Sequence, residues 1–273
     1  MISPAARTDL EDSILSCCKS LFLTSAIPEL IKQEGTPKQI EYLAGVLQAE
    51  LDRREENRRG RLVKRARFPV YKTFEGYEYR CVKLPPALSK EELEEAAFLR
   101  EKNNLVLYGP VGTGKTHMAV AAGIRACMKG YKVRFYTVTE LVLKLAEARK
   151  NGTLERLRSE LNGLDLLILD EFGLKKLGQT NVDDLYEVIS RRYEASSTII
   201  TSNKQFDEWG SILFDPVLAT AILDRFVHHC SFVIIEGESY RMKERERITS
   251  TKRRGRPKKD AGAQSQETEA DAE

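Results

Sequence analysis

Residues 105–116 read Leu105-Val106-Leu107-Tyr108-Gly109-Pro110-Val111-Gly112-Thr113-Gly114-Lys115-Thr116, a short apolar run that passes directly into the pattern G-x-x-x-x-G-K-[ST]. Residues 117–128 follow as an Ala-rich stretch with good helix propensity. Strand, glycine-rich turn and helix in that order form a phosphate-binding loop. Gly109, Gly112 and Gly114 let the backbone turn tightly with no Cβ in the way, so that successive N–H groups point inward at phosphate oxygens. The helix that begins at the loop presents its positive end to the same anion. Gly109, Pro110, Val111, Gly112, Thr113, Gly114, Lys115, Thr116 and the adjoining His117 are therefore the expected nucleotide-binding residues. Lys115 is expected as a point charge on the β and γ phosphates, and the Thr116 hydroxyl on a bridging Mg²⁺.

Further along, Leu166-Leu167-Ile168-Leu169-Asp170-Glu171 is an apolar strand ending in two adjacent carboxylates, a Walker B pattern. Asp170 is expected to hold the Mg²⁺, and Glu171 to polarise the water that attacks the γ phosphate. The next apolar run, Thr198 to Ile200, ends in Thr201-Ser202-Asn203, and Asn203 is placed to orient the same water. The stretch Asn203-Lys204-Gln205-Phe206-Asp207 has its acid one residue too late for the N-K-x-D guanine reader, which favours ATP. Arg225 lies in a helix-like stretch at 217–229 beside Asp224, and the residues alone leave open a surface ion pair or an arginine finger.

From Leu105 onward strands alternate with helices, with strands expected near 105–108, 132–137, 165–170, 197–202 and 232–235. That alternation predicts a parallel α/β sheet covered by helices. Upstream, residues 9–22 carry Leu10, Ile14, Cys17, Cys18 and Leu21 at helical spacing, and Thr36-Pro37 starts a second, long helix striped by Ile40, Leu43, Leu47 and Leu51. The expected organisation is a small all-α domain over 1–67 ending in a basic arm, an ATPase domain over 68–245, and a disordered tail over 246–273 that is first basic and then acidic.

The chain has 273 residues, 41% of them hydrophobic, with no apolar run long enough for a membrane span and no basic-then-apolar leader. A cytoplasmic protein with no membrane partner is expected. Five cysteines without a C-x-x-C pair argue against a disulfide framework or a zinc site, and are read as reduced core residues. Net charge is only +3, but eight Lys/Arg stand against three acids between Asp52 and Arg67. Arg53, Arg54, Arg58, Arg59, Arg61, Lys64, Arg65 and Arg67 are either a solvated helix face or a contact for nucleic acid.

Several stretches together resemble the IstB family, the AAA+ ATPase helpers of insertion-sequence transposition, which are related to the DnaC helicase loaders. They are Phe68-Pro69 with Lys72-Thr73-Phe74, the loop through His117, Asp165 to Glu171, Arg191-Arg192-Tyr193-Glu194, Thr201 to Lys204, Glu208-Trp209-Gly210, Leu223-Asp224-Arg225 and Gly237 to Arg241. The resemblance implies an AAA+ P-loop fold with a parallel five-stranded sheet of 5-1-4-3-2 order, the Asn203 strand lying between the phosphate-loop strand and the Asp170 strand. It makes Asn203 the sensor I residue, Arg225 a finger delivered in trans to a neighbour's ATP, and Arg241 a second arginine near the γ phosphate. A homo-oligomer follows from the trans finger. Too little chain follows Ile235 for a full helical lid, so the lid is expected to be absent or reduced.

Family members bind duplex DNA and use ATP to select or prepare a target site for a transposase encoded nearby. The basic arm is the first candidate contact, and Lys144, Arg149, Lys150, Arg156 and Arg158 are a pore-facing second. Arg254-Gly255-Arg256-Pro257 is similar to an AT-hook core, and a solubilising tail explains it equally well. Two rivals share the nucleotide site: a DnaC-like replicative helicase loader, and an ATP-gated scaffold without turnover, against which Glu171 and Arg225 speak.

Overall fold

The computed structural model describes residues 4–174, 178–205, 208–209 and 230–240. Arg225, Arg241, the stretch at 217–229 and the tail over 246–273 lie outside the described residues. The described residues include six strands: β1 (Val82–Lys83), β2 (Asn104–Tyr108), β3 (Val133–Thr137), β4 (Leu166–Phe172), β5 (Ser197–Ser202) and β6 (Cys230–Ile235). They make one sheet in the order β1-β6-β2-β5-β4-β3, in which β2 to β6 pair in parallel. Those five strands have the 5-1-4-3-2 order, and β5 lies between the strand before the phosphate loop and the strand carrying Asp170. The sixth strand was not expected. β1 pairs antiparallel with β6 through Val82 opposite Ile235 and Lys83 opposite Ile234, and at two residues it leaves no periodic signal in the sequence.

Parallel strands are covered on both faces, so their residues run apolar without a break while alternate side chains enter different cores. Leu105, Leu107, Leu166, Ile168 and Ile199 face one core, which is closed by α4 (Lys90–Glu94), a 3₁₀ turn (Ala97–Leu99) and α5 (Lys115–Met128). Val106, Leu167, Leu169 and Ile200 face the other, closed by α6 (Val138–Lys150), α7 (Leu154–Asn162) and α8 (Gln179–Arg192). α6 begins with a capping box: Thr137 accepts from the Glu140 N–H at 3.2 Å, and Glu140 accepts from the Thr137 N–H at 2.9 Å.

At the C-terminal end of α8, Arg192 is only 2% exposed. Its guanidinium donates to the carbonyls of Leu161, Leu164 and Ser197 and to the Thr198 hydroxyl, and so ties α7, α8 and β5 together. Burial lowers its pKa to about 10.

The N-terminal elements are α1 (Pro4–Leu21), α2 (Ala26–Glu34) and α3 (Pro37–Ala66). α3 starts where Thr36-Pro37 predicts, with Gln39 accepting from the Thr36 N–H at 2.9 Å. Its first half packs Ile40, Ala44 and Leu47 on Ile14, Cys17, Cys18 and Leu21 of α1. Its last turns place Leu62, Val63 and Ala66 in the core under α5. Between these anchors residues 52–61 are exposed on every side, as in a helix that bridges two bodies through solvent. At 30 residues α3 is about 45 Å long. The basic run is thus a span fixed at both ends. Cys17, Cys18 and Cys127 are core residues as expected, but Cys81 is exposed beside the β1 edge and Cys230 is half-buried at the start of β6.

Candidate nucleotide and metal site

β2 delivers the chain to the phosphate loop at a point where only glycine fits. A Cβ on Gly109 would run into the carbonyl oxygen of Ile235, and Gly112, at φ 83°, lies against the Ser239 side chain. The Gly109 N–H donates to the Ser202 carbonyl at 3.3 Å, which anchors the loop to β5. Thr113 is buried and donates to the Pro110 carbonyl at 2.9 Å, closing the turn from within. Lys115 curls over the loop and donates to the carbonyls of Gly109 and Pro110 at 2.7 and 2.6 Å. An ammonium held by two carbonyl oxygens is ready to exchange them for phosphate oxygens, because an anion is the stronger acceptor.

The Thr116 hydroxyl reaches both oxygens of Asp170, at 3.0 and 3.1 Å. Asp170 is 5% exposed and also accepts from the Thr201 hydroxyl. Among the described residues no lysine, arginine or histidine pairs with it. A buried carboxylate supplied only with hydroxyl donors is a negative charge without a counter-ion, and a hard cation with oxygen ligands fits it. Thr116 and Asp170 are thus the residues suited to Mg²⁺, on the donor chemistry of this structure.

The β4–β5 ladder breaks at this point. Leu169 pairs with Ile200 and Phe172 with Ser202, so Asp170 and Glu171 together stand opposite Thr201 alone. This is a β-bulge, a device that re-aims side chains at the edge of a site. Glu171 takes a left-handed φ of 61°, strained by about 1–3 kcal/mol for a residue with a Cβ. Its exposed side chain lines a cleft of about 120 Å³ with Gly112, Lys115, Thr116, Asp170 and Asn203. Phe172, next in the chain, is buried against Trp209 with ring centroids 4.2 Å apart.

Across Gly114 a second cavity of about 290 Å³ is lined by Lys72, Gly76, Tyr77, Glu78, His117 and Tyr240. The His117 ring bonds the Thr73 carbonyl at 2.8 Å and meets Tyr77 edge-on, with centroids 5.1 Å apart. The Tyr240 hydroxyl donates to Glu78 at 3.1 Å, and its N–H donates to the Gly112 carbonyl at 3.0 Å. Burial, with the nearby Tyr240 second, pushes the Tyr77 phenol pKa up, so it stays neutral. Tyr77, Glu78 and Tyr240 were not singled out from the sequence. The readable signal was the density of aromatic residues in a segment without helical or strand period: Tyr71, Phe74, Tyr77 and Tyr79.

The charged candidates for DNA contact fall into two groups. On α3, Arg53, Arg58, Arg61, Lys64, Arg65 and Arg67 are exposed without an ion pair among the described residues, while Arg54 and Arg59 bond Glu50 and Glu55 one turn earlier, each at 2.8 Å. In the α6–α7 region, Lys150 and Arg156 are exposed and Lys144 donates to the Tyr136 hydroxyl at 3.0 Å. Arg149 and Arg158 do something else. Both bond the buried carboxylate of Asp184 on α8, at 2.5 and 3.0 Å, and the Arg158 side chain is only 12% exposed. Arg158 is thus packed among α6, α7 and α8, where its guanidinium pairs with Asp184.

The sequence profile of the IstB-like ATP binding proteins matches residues 20–248. A protein of insertion sequence IS21 from Pseudomonas aeruginosa, described as ATP-binding, is 37% identical over 85% of this chain and 88% of its own length. A counterpart described in the same terms, from insertion sequence IS5376 of Geobacillus stearothermophilus, is 38% identical over 75% of this chain and 82% of its own. Among solved structures, the DnaC helicase loader superposes with a TM-score of 0.49 and 19% identity, covering 60% of this chain and 96% of the loader.

Proposed function

The chain belongs to the family of IstB-like ATP-binding proteins, and on that premise we propose that it is a Mg²⁺-dependent ATPase which assembles on duplex DNA and readies a target site for a partner transposase. One observation carries the hydrolytic part: the buried Asp170 carboxylate, without a cationic partner among the described residues, bonded to Thr116 of the phosphate loop, with Glu171 beside it in the cleft. The insertion-sequence setting of the relatives supports the transposase partner and a cytoplasmic setting, and the exposed basic span of α3 supports the DNA contact.

ATP would lie with its triphosphate on residues 109–116 and its base in the cavity of Tyr77, His117 and Tyr240. Lys115 exchanges the Gly109 and Pro110 carbonyls for β and γ phosphate oxygens. Thr116 and Asp170 would hold the Mg²⁺, and the ion when bound would supply positive charge to the triphosphate. Glu171 accepts the proton of the attacking water and Asn203 orients that water. Arg225 from a neighbouring subunit completes the site in a homo-oligomer, and Arg241 adds a second positive charge near the γ phosphate. Arg53, Arg54, Arg58, Arg59, Arg61, Lys64, Arg65 and Arg67, with Lys144, Lys150 and Arg156, contact DNA phosphates. Neutralising about six phosphates gives a slope of log affinity on log salt near −5.

The test is phosphate release with and without linear duplex DNA, on the wild type and on Glu171→Gln. The variant is expected to hold ATP and assemble on DNA without turnover. Hydrolysis by Glu171→Gln at the wild-type rate overturns the assignment, and preference for single over double strands redirects it to a helicase loader. A mixture of Arg225→Ala and Lys115→Ala proteins is expected to regain part of the activity, since one intact site forms between the two variants.

A further inference from the structure

The bulge in β4 creates two local demands. Asp170, lifted out of the ladder, needs donors for a buried carboxylate, and the Glu171 N–H, displaced from its ladder position, needs an acceptor. One side chain on β5 answers both. The Thr201 hydroxyl donates to Asp170 Oδ1 and accepts from the Glu171 N–H at 3.1 Å, while the residue itself is 2% exposed. Its neighbours on β5 are otherwise engaged, Ile200 in the core under α6 and Ser202 on the Phe172 carbonyl at 2.9 Å. Thr201 is thus the side chain that touches both carboxylate-bearing residues of the cleft, from the strand that also carries Asn203.

We propose that Thr201 is the positioning residue of the metal site. Through one hydroxyl it fixes the rotamer of Asp170 that faces Thr116, and it holds Glu171 in the left-handed conformation from which its side chain lines the cleft. A hydroxyl serves both purposes because it donates and accepts at once. An ionised carboxylate at 201 has no donor for Asp170, an amide nitrogen that donates cannot also accept from the Glu171 N–H, and an alkyl group leaves that N–H orphaned. The inference rests on the reading of the cleft as a Mg²⁺–ATP site.

The test uses the full-length protein as wild type, Thr201→Val, which removes the hydroxyl at nearly constant volume, and Thr201→Ser, which keeps it. Mn²⁺ binding in the presence of a non-hydrolysable ATP analogue is followed by electron paramagnetic resonance, and analogue affinity is measured again in EDTA. Loss of an outer-shell partner weakens a metal site by about 10- to 100-fold. Thr201→Val is expected to weaken Mn²⁺ by that factor and to lower kcat in proportion, with metal-free analogue affinity within about twofold of wild type. Thr201→Ser is expected to restore both.

Wild-type Mn²⁺ affinity in Thr201→Val overturns the inference, as does a Ser variant no better than Val. Should Val and Ala at 201 both fail to fold while Ser folds, the hydroxyl serves stability and the inference is likewise overturned. The two levels of reading fail differently. A wild type that binds the analogue and Mn²⁺ but releases no phosphate removes the ATPase reading, and Mn²⁺ binding still decides the role of Thr201.

Discussion

Two buried carboxylates, Asp170 on β4 and Asp184 on α8, are treated in opposite ways. Asp184 on α8 is 1% exposed and is met by the guanidinium groups of Arg149 and Arg158, so its charge is cancelled within the protein. Asp170 is 5% exposed and, among the described residues, receives hydrogen bonds from hydroxyls only. The first arrangement fastens α6, α7 and α8 to each other. The second leaves a unit of negative charge that no described side chain cancels. Burial and ionisable chemistry are alike in the two cases, and the sign and source of the neighbours separate architecture from function.

Exchanging each carboxylate for an amide tests that division. Asp170→Asn is expected to lower ATP turnover on the order of 10³-fold while the melting temperature holds or rises, since a buried charge without a counter-ion has been removed. Asp184→Asn is expected to do the reverse, costing about 3–5 kcal/mol of stability and leaving turnover per folded molecule nearly intact. Phosphate release and thermal melts on the same preparations decide. An early-melting Asp170→Asn, or a fully folded and inactive Asp184→Asn, erases the distinction.

Arg192 belongs on the architectural side. Arg192→Leu strands three backbone carbonyls and is expected to cost about 3 kcal/mol, read from denaturant midpoints, with unchanged nucleotide affinity once folded. Lys115 belongs on the other side. Lys115→Ala is expected to weaken ATP about 10- to 100-fold in a fluorescent-nucleotide titration, a larger effect than on the melting temperature, because the ammonium donates to the exchangeable Gly109 and Pro110 carbonyls of the phosphate loop.

The smallest effect concerns Glu95, an exposed carboxylate held down to about 2 by hydrogen bonds from Arg125 of α5 and then from Lys129 just past its end. A lowered folded-state pKa contributes stability that is present above the ordinary carboxylate range and lost as pH falls toward 2. Glu95→Gln is expected to flatten the stability profile slightly between about pH 4 and pH 2 and to leave it unchanged above that window, as pH-dependent melts would show.

The five parallel strands were legible because each is a short run bounded by polar or glycine residues, while their order came from the resemblance to the family and not from the runs themselves. The cleft was legible at Lys115, Thr116, Asp170 and Glu171, since their chemistry demands those residue types at those strand ends. Thr201 was not, although it sits two residues before Asn203, because its role depends on a bulge and a bulge has no periodicity of its own. β1 escaped by shortness, and the Tyr77–Tyr240 cavity by being assembled from segments about 160 residues apart in the chain. The pairing of Arg158 with Asp184 was hidden for a related reason. An arginine on an amphipathic helix reads as a surface charge until α8 brings Asp184 beneath it.

Trp209 is the single tryptophan of the chain, and its indole is buried against Phe172, the residue after Glu171. Its Nε1–H donates to the Lys204 carbonyl at 3.3 Å, just past Asn203. An environment-sensitive fluorophore is thereby built in between the two strand tips that would touch the γ phosphate. Its emission offers a label-free optical signal of nucleotide binding and release, readable by stopped flow in the unmodified protein.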